Sequence, residues 1–283
     1  MAQPSTKKQK SAATLPRRRL SAGDVVELER LLGLVTGADS VVLKITVPET
    51  DRRSVLTALG GDPLGAVIRQ IAFIDTPDLR LDRSGVVVRV RRTQQLPPDL
   101  TVKLHPVDPE FLPPDIRSLH GLEVEVDASA AGFVCSCSAK HELAPSRARD
   151  VLGGRVSVTD ELNQPEQELL SHAVADDFPV EDLTVLGPVH ILRSRFVPDG
   201  YARRLVVEQW FLPDGSRILE LSTRCDPDSA VAVASDIRHF LALHGVDFDA
   251  APDMRPSSTL TILADQLPDA MAPLRVPAPR RDR

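Results

Sequence analysis

Arg89 and Arg91 alternate with valine in the run Val86-Val87-Val88-Arg89-Val90-Arg91-Arg92. Side chains two residues apart in a strand point the same way, so the two guanidinium groups share one face and can share one anion. The same grammar recurs along the chain. Lys44 sits between Leu43 and Ile45, and Lys103 between Val102 and Leu104; Arg193 and Arg195 alternate with Leu192 and Phe196. Carboxylates follow it too: Glu123 and Glu125 among Leu122, Val124 and Val126, Glu208 two residues before Trp210, and Glu220 between Leu219 and Leu221. Planar arginine forks and lysine point charges suit clustered anionic oxygens, whereas carboxylates offer the hard oxygen ligands that magnesium or manganese takes.

Strands must carry these residues. The alternation predicts strands at Val41 to Val47, Ala66 to Ile74, Gly85 to Arg92, Leu100 to His105, Gly121 to Asp127, Val185 to Val197, Arg203 to Leu212 and Ser216 to Arg224. Pro213-Asp214-Gly215 makes the last two a hairpin. Helical spacing appears at Asp24 to Val35, Asp51 to Leu59, Asp228 to His244 and Ser257 to Gln266, and a helical insert is expected around 138–176. Pro106 to Asp115 reads as a loop because proline lacks the donor that ladders need.

Two architectures satisfy this pattern. One is an antiparallel sheet with one face on a core and the other in water. The other closes the strands into an antiparallel β-barrel, α+β in class, with a polar interior and helices packed outside. In a closed barrel the cations would repel one another unless a charged ligand sat among them. The segment Asp75-Thr76-Pro77 reads as turn chemistry, and Trp210 as packing or as part of the barrel lining.

The run IAFIDTPDLRLDRSGVVVRVRR, with SVVLKITVP upstream and LTVKLHP, GLEVEV and RILELSTR downstream, resembles the CYTH family of triphosphate tunnel proteins. The resemblance covers roughly Asp39 to Asp226 and is strongest between Phe73 and Lys103. Family activities include thiamine triphosphatase, inorganic triphosphatase and class IV adenylyl cyclase. The resemblance implies a triphosphate, nucleotide or polyphosphate ligand bound by Lys44, Arg89, Arg91, Lys103, Arg193 and Arg195. It also implies magnesium or manganese held by Glu123, Glu125, Glu208 and Glu220.

One departure bears on activity. The family's first strand reads Glu-x-Glu-x-Lys, with both glutamates on metal, whereas this chain has Ser40-Val41-Val42-Leu43-Lys44. Near the last strand, Glu220-Leu221-Ser222 keeps one carboxylate of a similar pair. Asp39 lies out of phase with Lys44 and does not replace them. Phosphoryl transfer depends on neutralising developing charge. Anion binding with weak or absent hydrolysis is therefore expected; a working metal-dependent triphosphatase and an adenylyl cyclase stand as alternatives.

Composition bounds the rest. A chain of 283 residues with 42% hydrophobic content can bury one sizeable core, expected as a single domain over 21–268. Residues 1–20 carry six basic and no acidic side chains, and 269–283 are also basic. Both read as disordered basic ends, and the first is not followed by the apolar run of a secretory signal. Since the net charge is −6, the middle is strongly acidic, which argues against nucleic acid as a partner; a protein partner is not legible. No stretch is long and apolar enough to span a membrane. Cys135, Cys137 and Cys225 form no disulfide framework, which suits a cytoplasmic protein, and none of the seven histidines joins a nucleophile arrangement.

Overall fold

The computed structural model describes residues 22–175, 177–246, 256–265 and 267. Among them nine strands close into a barrel in the order β1-β5-β6-β4-β3-β2-β7-β8-β9. They are β1 (Ser40–Val47), β2 (Val67–Asp75), β3 (Val86–Thr93), β4 (Asp99–Leu104), β5 (Glu123–Ser129), β6 (Gly132–Glu142), β7 (Thr184–Phe196), β8 (Leu205–Phe211) and β9 (Arg217–Cys225). The helices are α1 (Ala22–Thr36), α2 (Arg52–Ala58), α3 (Arg80–Arg83), α4 (Pro114–Arg117), α5 (Pro145–Leu152), α6 (Gln164–Ala173), α7 (Ala230–Leu243) and α8 (Pro256–Ala264). The expected basic ends, 1–20 and 269–283, lie outside the described residues.

The barrel is mixed, which corrects the all-antiparallel expectation. β1 runs parallel to β5, with Ser40 opposite Glu125 and Val42 opposite Asp127, while its other neighbour β9 is antiparallel. Strand directions cannot alternate around a closed ring of odd number, so at least one pair must be parallel. The helical insert starts later than 138: β6 runs on to Glu142, and α5 begins at Pro145. The Pro106–Asp115 loop holds a 3-10 turn at Pro109–Phe111, and α4 follows.

Alternation sorts each strand into a wall face and a lumen face. Val86, Val88 and Val90 of β3, Leu100 and Val102 of β4, and Val124 and Val126 of β5 point outward into a core that also holds Leu169 of α6, Val151 of α5 and Ile237 and Leu241 of α7. Burying each such side chain contributes about 1.5–3 kcal/mol, an upper figure because the unfolded chain is itself partly collapsed. Tyr201 stacks on Phe240 of α7 with ring centroids 4.9 Å apart.

Local chemistry holds the elements in register. Asp75, at the end of β2, accepts hydrogen bonds from the backbone N–H groups of Thr76 (2.7 Å), Leu81 (2.8 Å) and Asp82 (3.0 Å), folding α3 back so that β3 returns beside β2. Gly85 opens β3 at φ 73°, and a Cβ there would lie 2.4 Å from the His105 carbonyl oxygen. α6 starts with a capping box: Asn163 Oδ1 accepts from Glu166 N (3.1 Å), and Glu166 Oε2 accepts from Asn163 N (3.0 Å). The Glu166 carboxylate is fully buried and lies 2.8 Å from His141 Nδ1 on β6.

A second apolar cluster occupies the lumen side. Ile71 and Phe73 share the face of Arg69, Val87 that of Arg89, and Val189 and Ile191 that of Arg193; together with Leu260 and Leu263 of α8 they form one buried group. Trp210 and Ile218 pack against it. α8 thus closes part of the barrel interior from one end. No described helix is long and apolar enough to cross a membrane.

Candidate functional site: a cation-lined lumen

The lumen faces of the strands bring distant charges together. Asp127 of β5 binds Lys44 of β1 (Nζ to Oδ2, 3.0 Å) and Lys103 of β4 (3.4 Å) through the same oxygen. β4 and β5 are separated by β6, so the Lys103 contact reaches across a strand. Glu208 of β8 forms the second centre: its Oε1 accepts from Arg69 Nη1 (2.7 Å) and Arg193 Nε (2.8 Å), and the Arg69 bond spans β7. Arg91 binds Asp99 (2.9 Å). Glu125 binds Arg224 of β9, and Ser40 Oγ lies 3.5 Å from it.

Arg89 stands apart from these pairs. Its Nε is buried and has no hydrogen-bond partner, and burial, followed by the neighbouring Arg91 charge, pushes its pKa down against the pull of Asp99, Glu125 and Glu208. Asp127 Oδ1 is a buried acceptor without a partner. An orphaned donor and an orphaned acceptor in one lumen mark places where solvent or a ligand completes the bonding.

Burial and neighbours set the other charges. Burial alone would raise the Asp127 carboxyl, but Lys44 and Lys103 outweigh it and hold the pKa below 3.8. Lys103 is pushed below 10.5 by burial, with Lys44 and Arg89 adding to the shift and Asp127 opposing it. For Lys44 burial acts downward, yet Asp127, Glu220 and Glu125 together raise the pKa above its ordinary value. Burial brings Arg69 down to about 10 against the pull of Glu208, which leaves it charged at neutral pH.

Asp127, Glu208 and Glu125 do not fit a divalent metal site as they stand. Asp127 already carries two ammonium groups on one oxygen, Glu208 two guanidinium groups, and Glu125 one. A doubly charged ion on Asp127 would sit beside both lysines and meet their repulsion. At Ser40 and Val42 the first strand supplies a hydroxyl and an isopropyl group. Among the described residues, no three His, Cys, Asp or Glu side chains converge in a metal-holding group.

The residues expected from sequence fall into two sets, and Asp39, excluded by its phase, stays outside both. Lys44, Arg89, Arg91, Lys103 and Arg193, with Glu125, Glu208 and Glu220, face the lumen together. Arg195, on the same strand face as Arg193, is exposed towards the end of β7, and Glu123 is exposed at the start of β5. Asp39 lies apart: it accepts from Arg117 and from Val124 N (2.7 Å). Sequence reasoning missed Arg69, Asp99, Asp127 and Arg224. Asp127 continues the Glu123, Glu125 alternation, which was the available signal. A surface cleft lined by Asp82, Arg83, His105 and His172 contains none of the lumen cations.

No protein-family model and no curated protein matches this chain. Solved structures do. A putative adenylyl cyclase from Hippeastrum, described as having a dominant triphosphatase activity, aligns with a TM-score of 0.53 at 14% identity over 75% of this chain and 91% of its own. A putative adenylate cyclase from Bacillus halodurans aligns with a TM-score of 0.50 at 13% identity over 77% and 96%. At such identities the likeness concerns the fold, and the chain shares with them an α+β architecture built on a closed β-barrel.

Proposed function

We propose that this protein binds triphosphate-containing or polyphosphate anions in its lumen, with hydrolysis weak or absent. The observation that carries this is the buried, unpartnered Nε of Arg89, set among Lys44, Arg91, Lys103 and Arg193. Phosphate oxygens satisfy that donor and exchange with Asp127 for the two lysines, since an ammonium group re-aims at small cost. A charge-assisted bond to one guanidinium contributes about 2 kcal/mol net, roughly thirtyfold in Kd. Turnover is weak because β1 carries Ser40 and Val42 where carboxylates would be needed and because Glu125 and Glu208 are already bound to side-chain cations. The three buried thiols suit a cytoplasmic setting.

A second reading, a magnesium- or manganese-dependent triphosphatase, is favoured by the activity described for the Hippeastrum protein. One panel separates the two: tripolyphosphate, ATP and thiamine triphosphate, each with EDTA, Mg²⁺ or Mn²⁺, followed by melting temperature, released phosphate and cyclic AMP. At a ligand concentration of about 100 Kd, binding raises the melting temperature by roughly 5–10 °C. The expected result is such a shift in EDTA without released phosphate. Rapid metal-dependent release would replace this proposal with the second reading.

A further inference from the structure

Phe111 is 78% exposed, more than any other Phe, Tyr or Trp among the described residues. Single exposed apolar side chains are ordinary, but this one is held out on a fixed support. Asp108 Oδ1 accepts from Glu110 N (3.1 Å) and caps the 3-10 turn, and Phe111 N donates to the Asp108 carbonyl (3.0 Å). Upstream, Val107 N donates to the Cys135 carbonyl of β6 (2.9 Å). Pro109 packs so close to Gly37 that a Cβ there would lie 2.6 Å from it. An aromatic side chain on a turn already fixed loses little freedom on binding. Asp108 and the exposed Glu110 and Asp115 make the projection acidic.

A receiving surface lies beside it. Val107, four residues before Phe111, lines the cleft of about 500 Å³ between α3, the end of β4 and the last turn of α6. Four residues of chain span at most about 14 Å. Leu104, Val107 and Ala173 give the cleft apolar lining, and Arg83 (59% exposed) and the exposed His172 stand beside the half-buried Asp82. We propose that this face pairs with the same face of a second copy of the chain, Phe111 of each copy entering the cleft of the other. A projection and a cleft set side by side on one face suit an isologous two-fold contact, because one axis between them seats both pairs at once. Glu110 of one copy then approaches Arg83 of the other, opposite charges that fix the register. None of these residues is a lumen cation, so the pairing is independent of the anion-binding reading.

The test is sedimentation equilibrium of the full chain at about 1 to 100 μM, where a reversible monomer–dimer equilibrium is expected. Phe111→Ser removes the aromatic anchor at an exposed position; it should leave the melting temperature of the monomer unchanged and weaken the dimer at least ~30-fold. His172→Glu sets a carboxylate in the cleft against the acidic turn and should weaken the dimer about 10-fold, and adding Glu110→Lys should reverse that loss. Both positions are exposed, so each variant is expected to fold, and its melting temperature checks this. A monomer at every concentration, or assembly that continues beyond the dimer, would overturn the two-fold pairing. So would a dimer indifferent to Phe111→Ser or to His172→Glu, or a His172→Glu loss that Glu110→Lys fails to reverse.

Discussion

Glu208 and Asp127 each hold two cations in the same lumen, yet the two centres differ in kind. Glu208 takes guanidinium groups from Arg69 and Arg193, whose side chains are 10% and 9% exposed; Asp127 takes ammonium groups from Lys44 and Lys103, at 33% and 20%. Arginine forks are planar and keep their bonds in a fixed geometry, whereas an ammonium on a flexible stem rotates to whichever acceptor is strongest. Both Glu208 bonds are short, but Asp127 holds Lys103 at 3.4 Å and leaves its own Oδ1 without a donor. The arginine centre ties β2, β7 and β8 together. The lysine centre is the exchangeable one.

The largest expected effect separates them by stability. Glu208→Gln strands two buried guanidinium groups and should cost about 3–5 kcal/mol in urea unfolding. Asp127→Asn should cost about 1–3 kcal/mol, because its lysines reach water more easily, while the tripolyphosphate-induced melting shift increases. Equal losses for the two substitutions would erase the distinction.

Acid sharpens the same contrast. Because the folded Asp127 carboxyl lies below its ordinary 3.8, its contribution to stability is present above that value and is lost as pH falls through the depressed one. Asp127→Asn should remove this part of the acid unfolding profile. At alkaline pH the sign concerns ligand binding: Lys103 loses its proton below 10.5, so affinity for tripolyphosphate falls as pH rises through that depressed value. Lys103→Arg should flatten the decline in a calorimetric pH series; an unchanged decline would place the titrating group elsewhere.

The smallest effect concerns metal. Ser40→Glu and Val42→Glu together set new carboxylates opposite Glu125 and Asp127 in the β1–β5 ladder. The double variant should show a Mn²⁺-dependent melting shift that the wild type lacks, and phosphate release if the scaffold is otherwise competent. If the wild type already turns over rapidly, hydrolysis does not need carboxylates at Ser40 and Val42, and the weak-turnover reading falls.

What the sequence made legible followed from alternation within single strands. Lys44, Arg89, Arg91, Lys103, Arg193, Glu208 and Glu220 lie in phase with their strands, and each faces the lumen. Arg69 was hidden because the lumen face of β2 turns apolar at Ile71 and Phe73, so the run Val67–Asp75 shows no charge alternation. β6 escaped the strand pattern because its middle is made of small residues with weak strand preference, Ser136 and Ser138 on the lumen face and Cys135, Cys137 and Ala139 on the wall. The parallel β1–β5 pairing and the closing role of α8 depend on contacts between remote segments, which no local pattern encodes.

The central claim is that one enclosed set of cations binds a phosphate chain. It is tested most directly by calorimetric titration of tripolyphosphate in EDTA into the wild type and the Arg89→Ala/Arg91→Ala variant, with urea unfolding to confirm that the variant folds. Saturable binding in the wild type that vanishes in the folded variant is the predicted result. Identical binding in both, or none in either, would contradict it.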